Sequence, residues 1–192
     1  MKHFLQFSLT LFFIVFTFTG CLPMFTIGTA AGTGAYISED RRTSGMFIED
    51  ESIELKSARR IHQQFADEAH VNITSFNRIV LLTGEVPSED IKSSIEKLVM
   101  GIENVRKIHN EIAVASKTSL ASRSNDTLIT SKVKARFLAE RKFQINHVKI
   151  VTENGIVYLL GMVTHQEAES AAKIASSTSG VRKVVKVFEY LN

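Results

Sequence analysis

The stretch Asn154-Gly155-Ile156-Val157-Tyr158-Leu159-Leu160-Gly161 decides how this chain is read. Asn and Gly tolerate positive φ and make a tight turn, and the apolar run behind them returns as a strand. Set back by 77 positions, Asn77, Ile79, Val80, Gly84 and Val86 repeat Asn154, Ile156, Val157, Gly161 and Val163. His70-Val71-Asn72-Ile73 likewise answers His147-Val148-Lys149-Ile150. After a one-residue shift, Val105-Arg106-Lys107-Ile108 answers Val181-Arg182-Lys183-Val184. Matches that keep their order over this length signal duplication of one small unit.

In the second copy, Asn125 or Asp126 is placed to cap a helix over 127–142, whose Ile129, Val133 and Phe137 recur every four residues. Val148, Ile150 and Thr152 alternate as a strand. Thr164 caps a second helix with Glu167 completing a capping box, and Val184 to Tyr190 forms the last strand. In the first copy Ile53, Ala58, Ile61 and Phe65 mark the first helix, and Val71 to Ser75 and Ile79 to Gly84 the hairpin. Ser88 caps a helix with Ile91, Ile95 and Leu98 inside, and Val105 to Val114 closes the sheet. The turn Phe76-Asn77-Arg78 lacks the glycine of its counterpart. The fold class is therefore α+β: two tandem αββαβ units, each a three-stranded mixed sheet packed against two helices. Cores this small make each unit modestly stable and give the two reason to lean on one another.

A leader precedes the units. Lys2 supplies a positive start and Phe4 to Phe18 an apolar run, ending at Thr19-Gly20-Cys21. Roughly 15 apolar residues fall short of the ~20 that span a bilayer, which favours a cleaved signal over an uncleaved anchor. Cys21 is the single cysteine of the chain, so it has no internal disulfide partner. Its setting resembles a bacterial lipoprotein signal, with Phe18 where that pattern usually carries Leu. The resemblance implies acylation of Cys21 by diacylglycerol and a further chain such as palmitate. Leu22 in place of Asp implies delivery to the periplasmic face of the outer membrane. The segments read as signal peptide 1–20, flexible tether 21–49, first domain 50–115, a Ser/Thr-rich linker 116–124 and second domain 125–192. Gly28 to Gly34 has the look of a phosphate-cradling loop but lacks the preceding strand and following helix, and reads as tether.

The stretch from Asn154 to Gly161, with Ser179-Gly180-Val181-Arg182-Lys183-Val184 and weaker equivalents in the first copy, is similar to the BON domain, an αββαβ module of bacterial envelope proteins. Gly84, Gly155, Gly161 and Gly180 are its signature glycines. A lipoprotein signal followed by two such units resembles the dual-BON-domain outer-membrane lipoproteins of the DolP/YraP type. That resemblance implies binding of anionic phospholipid (phosphatidylglycerol or cardiolipin) through the second domain, support of outer-membrane integrity and gathering at division sites. It also implies association with the barrel-assembly machinery, and an inter-domain or partner surface around Ile73, Ser75 and Phe76.

Charge distribution bears on the same question. Net charge is +3. Residues 50–114 carry an acidic excess and 125–192 a basic one, which fits either an anionic surface facing the second half or ordinary scatter. On a helical wheel Leu128, Ala135 and Ala139 lie opposite Ile129, Val133 and Phe137, interleaved with Lys132, Arg136 and Lys142. That is the weakly apolar, basic face of an interfacial helix, or an ordinary solvated one. The first helix of the first copy alternates its charges and is assigned no membrane role. His70 and His147 stand alone at strand starts, without a second ligand at metal spacing. Glu167 and Glu169 lack a neighbouring nucleophile or base. The expectation is no enzyme, no cofactor, no metal and no nucleic acid. Two readings stand: an anchored binder of anionic lipid, or a scaffold that holds an envelope-assembly protein.

Overall fold

The computed structural model describes residues 40–65, 68–116 and 120–191; the signal peptide, Cys21, Leu22 and the stretch 28–34 lie outside them. The first unit comprises α1 (Ser44–Phe65), β1 (His70–Phe76), β2 (Ile79–Val86), α2 (Glu89–Met100) and an edge strand in two pieces, β3 (Lys107–Asn110) and β4 (Ala113–Val114). The second comprises α3 (Leu120–Glu140), a 3-10 turn at Ile145–His147, β5 (Lys149–Glu153), β6 (Ile156–Val163), α4 (His165–Ser176) and β7 (Lys183–Tyr190). In both, an antiparallel hairpin supplies the central strand, which the closing strand joins in parallel. The αββαβ plan and its mixed sheet stand as expected.

Strand residues alternate between the two faces of a sheet. On β2, Val80, Leu82 and Val86 meet Ile53 and Ile61 of α1 and Ile95 and Val99 of α2. On β6, Val157, Leu159 and Val163 meet Ile129, Val133 and Phe137 of α3 and the small residues Ala168 and Ala171 of α4. The alternate residues are apolar too. Ile79 and Leu81 of β2, with Phe76, pack against Tyr158 and Leu160 of β6 and Val187 of β7. The two sheets therefore lie face to face, with α1 and α2 on one outer side and α3 and α4 on the other.

Polar bonds edge this shared core. Glu153 accepts from the Asn72 amide at 2.8 Å and the Thr83 hydroxyl at 3.3 Å, and the Asn154 amide donates to Glu85 at 2.9 Å. Lys149 reaches across to Glu54 at 3.0 Å. Glu85 and Glu153, only 2% and 9% exposed, thus keep partners after losing water.

Each hairpin turn is held by an aspartate. Asp50 accepts the N–H groups of Asn77 and Arg78, both at 2.8 Å, and the Ser75 hydroxyl at 2.6 Å. Asp126 accepts those of Asn154 at 2.8 Å and Gly155 at 2.7 Å. Both turn residues have positive φ in each hairpin, which aims two consecutive N–H groups the same way, at one carboxylate. Arg78 adopts φ 64 without being glycine, and Asp50 compensates the cost.

Several expectations give way here. Asp126 is no helix cap: α3 begins at Leu120, within the stretch read as linker, and its inner-facing aspartate serves the turn. The helix ends at Glu140, so Lys142 lies beyond it. The tether does not extend to 49, because Thr43 caps α1 by accepting the Met46 N–H at 3.2 Å. Ser57, and not Ala58, sits on the buried side of α1, since the four-residue step from Ile53 to Ile61 passes through it. The closing strand of the first unit breaks at Glu111 and Ile112, opposite Gly84, whose φ of 111 turns β2 out of regular extension. Gly84 and Gly161 serve a second purpose. A Cβ at either would collide with the backbone carbonyl of His70 or His147, so only glycine lets the first strand of each hairpin approach.

Urea unfolding checks the role of the turn carboxylates. Asp126→Ala is expected to cost about 2–3 kcal/mol for two stranded N–H groups. Asp50→Ala should cost about 3–5 kcal/mol, because it also removes one of the two carboxylates that hold the buried Arg42 and leaves the Ser75 hydroxyl without its acceptor. Arg78→Gly should raise stability by about 0.5 kcal/mol through relief of the positive φ.

Candidate functional site

No helix among the described residues is long and apolar enough to cross a membrane, and exposed apolar residues beside cations are what an interfacial contact needs. The outer face of α3 offers one. Leu128 is 60% exposed, and Lys132, Ala135 and Ala139 are exposed beside it. Leu138, 58% exposed, extends the same face and Lys134 flanks it opposite Lys132; the wheel drawn from sequence did not include either. Their signal was present, in an apolar residue ten positions after Leu128 with a lysine between.

Arg136 is placed differently from expectation. Its guanidinium turns to the C-terminal end of α4, donating to the Ile174 carbonyl at 3.0 Å, the Ser177 hydroxyl at 2.8 Å and the Thr178 hydroxyl at 3.1 Å, and to Glu140 at 2.8 Å. Four acceptors fix it as a brace between α3 and α4. The two acids of α3 are both occupied, Asp126 in the turn and Glu140 with Arg136. Lys132 and Lys134 therefore stand on a face without a competing carboxylate of the same helix.

The positions Ile73, Ser75 and Phe76 separate. Ile73 packs half-buried against the first unit's own core. Ser75 turns its hydroxyl to Asp50 of α1 in its own unit, at 2.6 Å, and only its carbonyl meets the second unit, 3.4 Å from Lys149 Nζ; Phe76, on the opposite face of β1, belongs to the shared core. Of the three side chains, Phe76 packs between the two units. Gly180, with φ 96, packs on Ile129 of α3, and Gly155, with φ 72, completes its turn.

The chain enters the folded unit through a two-arginine clasp. Arg42 bonds Asp40 and Asp50, with its guanidinium 4.0 Å from the centre of the Phe76 ring. Arg41 crosses to the second unit, where it pairs bidentately with Glu167 at 2.7 and 2.9 Å and donates to the Met162 carbonyl at 2.7 Å. Glu167 also accepts from the Thr164 N–H at 2.8 Å, completing the capping box of α4, and lies 3.2 Å from His147 Nδ1. Burial works to raise the Glu167 carboxyl, but Arg41, the Thr164 N–H and His147 outweigh it and hold the group at about 2. Asp40 follows the same balance: burial opposes its charge, and Arg42 prevails and lowers it.

Comparison with known proteins agrees with this architecture. Residues 49–116 and 125–192 each match the BON domain. The chain is 40% identical over 175 residues to the outer membrane lipoprotein DolP of Haemophilus influenzae, covering 90% of both chains. It is 35% identical to the 21 kDa hemolysin of Actinobacillus pleuropneumoniae, with 79% of both covered. It is 28% identical to the osmotically-inducible protein Y of Escherichia coli, over 81% of this chain and 80% of that one.

The clasp predicts an acid transition. Glu167 titrates near 4.5 when unfolded and near 2 when folded, so its stabilisation is complete above pH 4.5 and is lost as pH falls through 2. The stability difference between the natural chain and Arg41→Ala, followed by thermal melting, should be constant above about pH 5 and shrink between 4.5 and 2.

Proposed function

The chain belongs to the BON-domain family, and on that premise we propose that it is a lipid-anchored protein of the outer membrane's periplasmic face. Its second domain lays the outer side of α3 on anionic phospholipid. The observation that carries this reading is the α3 face: Leu128 and Leu138 exposed, Ala135 and Ala139 between them, Lys132 and Lys134 alongside, and both acids of the helix engaged elsewhere. Apolar side chains that enter the headgroup zone beside cations are what an interfacial helix needs.

Magnitudes assign the roles. Two lysines near an anionic leaflet contribute about 1 kcal/mol each, too little for tight binding alone. Acyl chains on Cys21 supply the affinity, as the lipoprotein-like leader and the outer-membrane relative support. The helix then operates at the high effective concentration that tethering creates. It selects where on the membrane the protein gathers. Enrichment on anionic lipid offers a route to division sites and to support of membrane integrity without enzymatic chemistry.

Flotation with vesicles tests the lipid contact. The Cys21→Ser chain should float with phosphatidylglycerol or cardiolipin and stay behind with phosphatidylcholine, and raised salt should weaken it. Lys132→Glu with Lys134→Glu should reduce binding by about tenfold or more, at about 1–2 kcal/mol per reversed charge. Equal binding to neutral vesicles defeats the proposal for α3. An unacylated Cys21 thiol in membrane-extracted protein, seen by mass spectrometry, defeats the anchor.

A further inference from the structure

The second strongly apolar exposed face belongs to α1, on the side of the molecule away from α3. At 100° per residue, Ile48, Glu51, Leu55 and Arg59 fall within a sector of about 80° opposite Ile53 and Ser57. Ile48 is 68% and Leu55 63% exposed, on a helix whose inner side already fills the first core. No hydrogen bond or ion pair among the described residues takes up the Glu51 carboxylate or the Arg59 guanidinium. Stability of the monomer gives no reason for this stripe.

Its order along the helix does. Glu51 lies four residues before Leu55 and Arg59 four residues after, each about 6 Å along the axis. A twofold axis through Leu55 brings a second α1 alongside, antiparallel. It sets Leu55 on Leu55, Glu51 on the partner copy's arginine at 59, and Arg59 on its glutamate at 51. Ile48 then meets the helical turn carrying His62, and the small Ala58 permits close approach of the two backbones. The face is self-complementary in both charge and shape, the requirement for an isologous dimer. A lipid surface fits it less well, because Glu51 would be pressed toward anionic headgroups or desolvated.

We infer that the outer face of α1 is a homodimer interface, in which two copies of this chain pair antiparallel about Leu55. One helix pair buries less than the roughly 1,200 Å² of a standard interface, so the contact is a transient one that crowding on a surface promotes. The proposal is independent of the lipid contact of α3, which lies on the opposite outer layer and stays free in the pair.

Crosslinking of the full chain in membranes tests it, using two copies with different tags and a short bismaleimide. Leu55→Cys should give a mixed-tag dimer, whereas Leu128→Cys and the natural chain should not. Glu51→Arg or Arg59→Glu, each added to Leu55→Cys, should cut the yield about tenfold by opposing like charges across the axis. The double reversal should restore it, which no loss of folding can mimic. Circular dichroism confirms the fold of each variant. Absence of the dimer, a yield indifferent to the reversals, or equal crosslinking at Leu128→Cys overturns the inference. So does a Leu55→Asp chain that dimerises normally but loses affinity for phosphatidylglycerol vesicles.

Discussion

The constraint behind this structure is that both central strands are apolar on both faces. A lone αββαβ unit has helices for one face of its sheet and nothing for the other. Ile79 and Leu81 in the first unit, and Tyr158 and Leu160 in the second, would stand in water. Each unit is the other's cover. Burial follows: every residue of β2 is buried, although it belongs to a three-row sheet with helices on one side only. Duplication of the unit was thus also the means of completing it.

Face-to-face packing fixes where everything else lies. Both helical layers are driven outward and to opposite sides, so that the outer faces of α1 and α3 look in opposed directions. Orientation within the sandwich is set by bonds of limited reach: Glu153 to Asn72, Glu85 to Asn154, Lys149 to Glu54. The Arg41–Arg42 clasp adds a grip on both units at the point where the chain arrives from its N-terminal segment.

Much of the fold was legible locally. Turn chemistry at Asn154-Gly155, the capping box at Thr164 and Glu167, and the alternation through Val148, Ile150 and Thr152 depend on neighbours within a few residues. The structure keeps them all. What failed depended on distant partners. Asp126 has the type and place of a helix cap, yet its carboxylate serves a turn 28 residues away. Arg136 falls near the polar side of a wheel, yet four acceptors draw it to α4. Phe76 belongs to a surface only if the second sheet is absent, and Ser75 turns to Asp50 of its own unit.

The sequence by itself determined the repeat, the αββαβ order and the basic character of the second unit, because these are written in periods of two and four residues and in composition. Tertiary structure alone decided which cations remain available. Lys132 and Lys134 stay in water while Arg136, Arg41 and Arg42 are consumed by acceptors remote in sequence. A charge is free or spent according to what lies within about 3 Å of it, and that distance is set by packing, which no local pattern records.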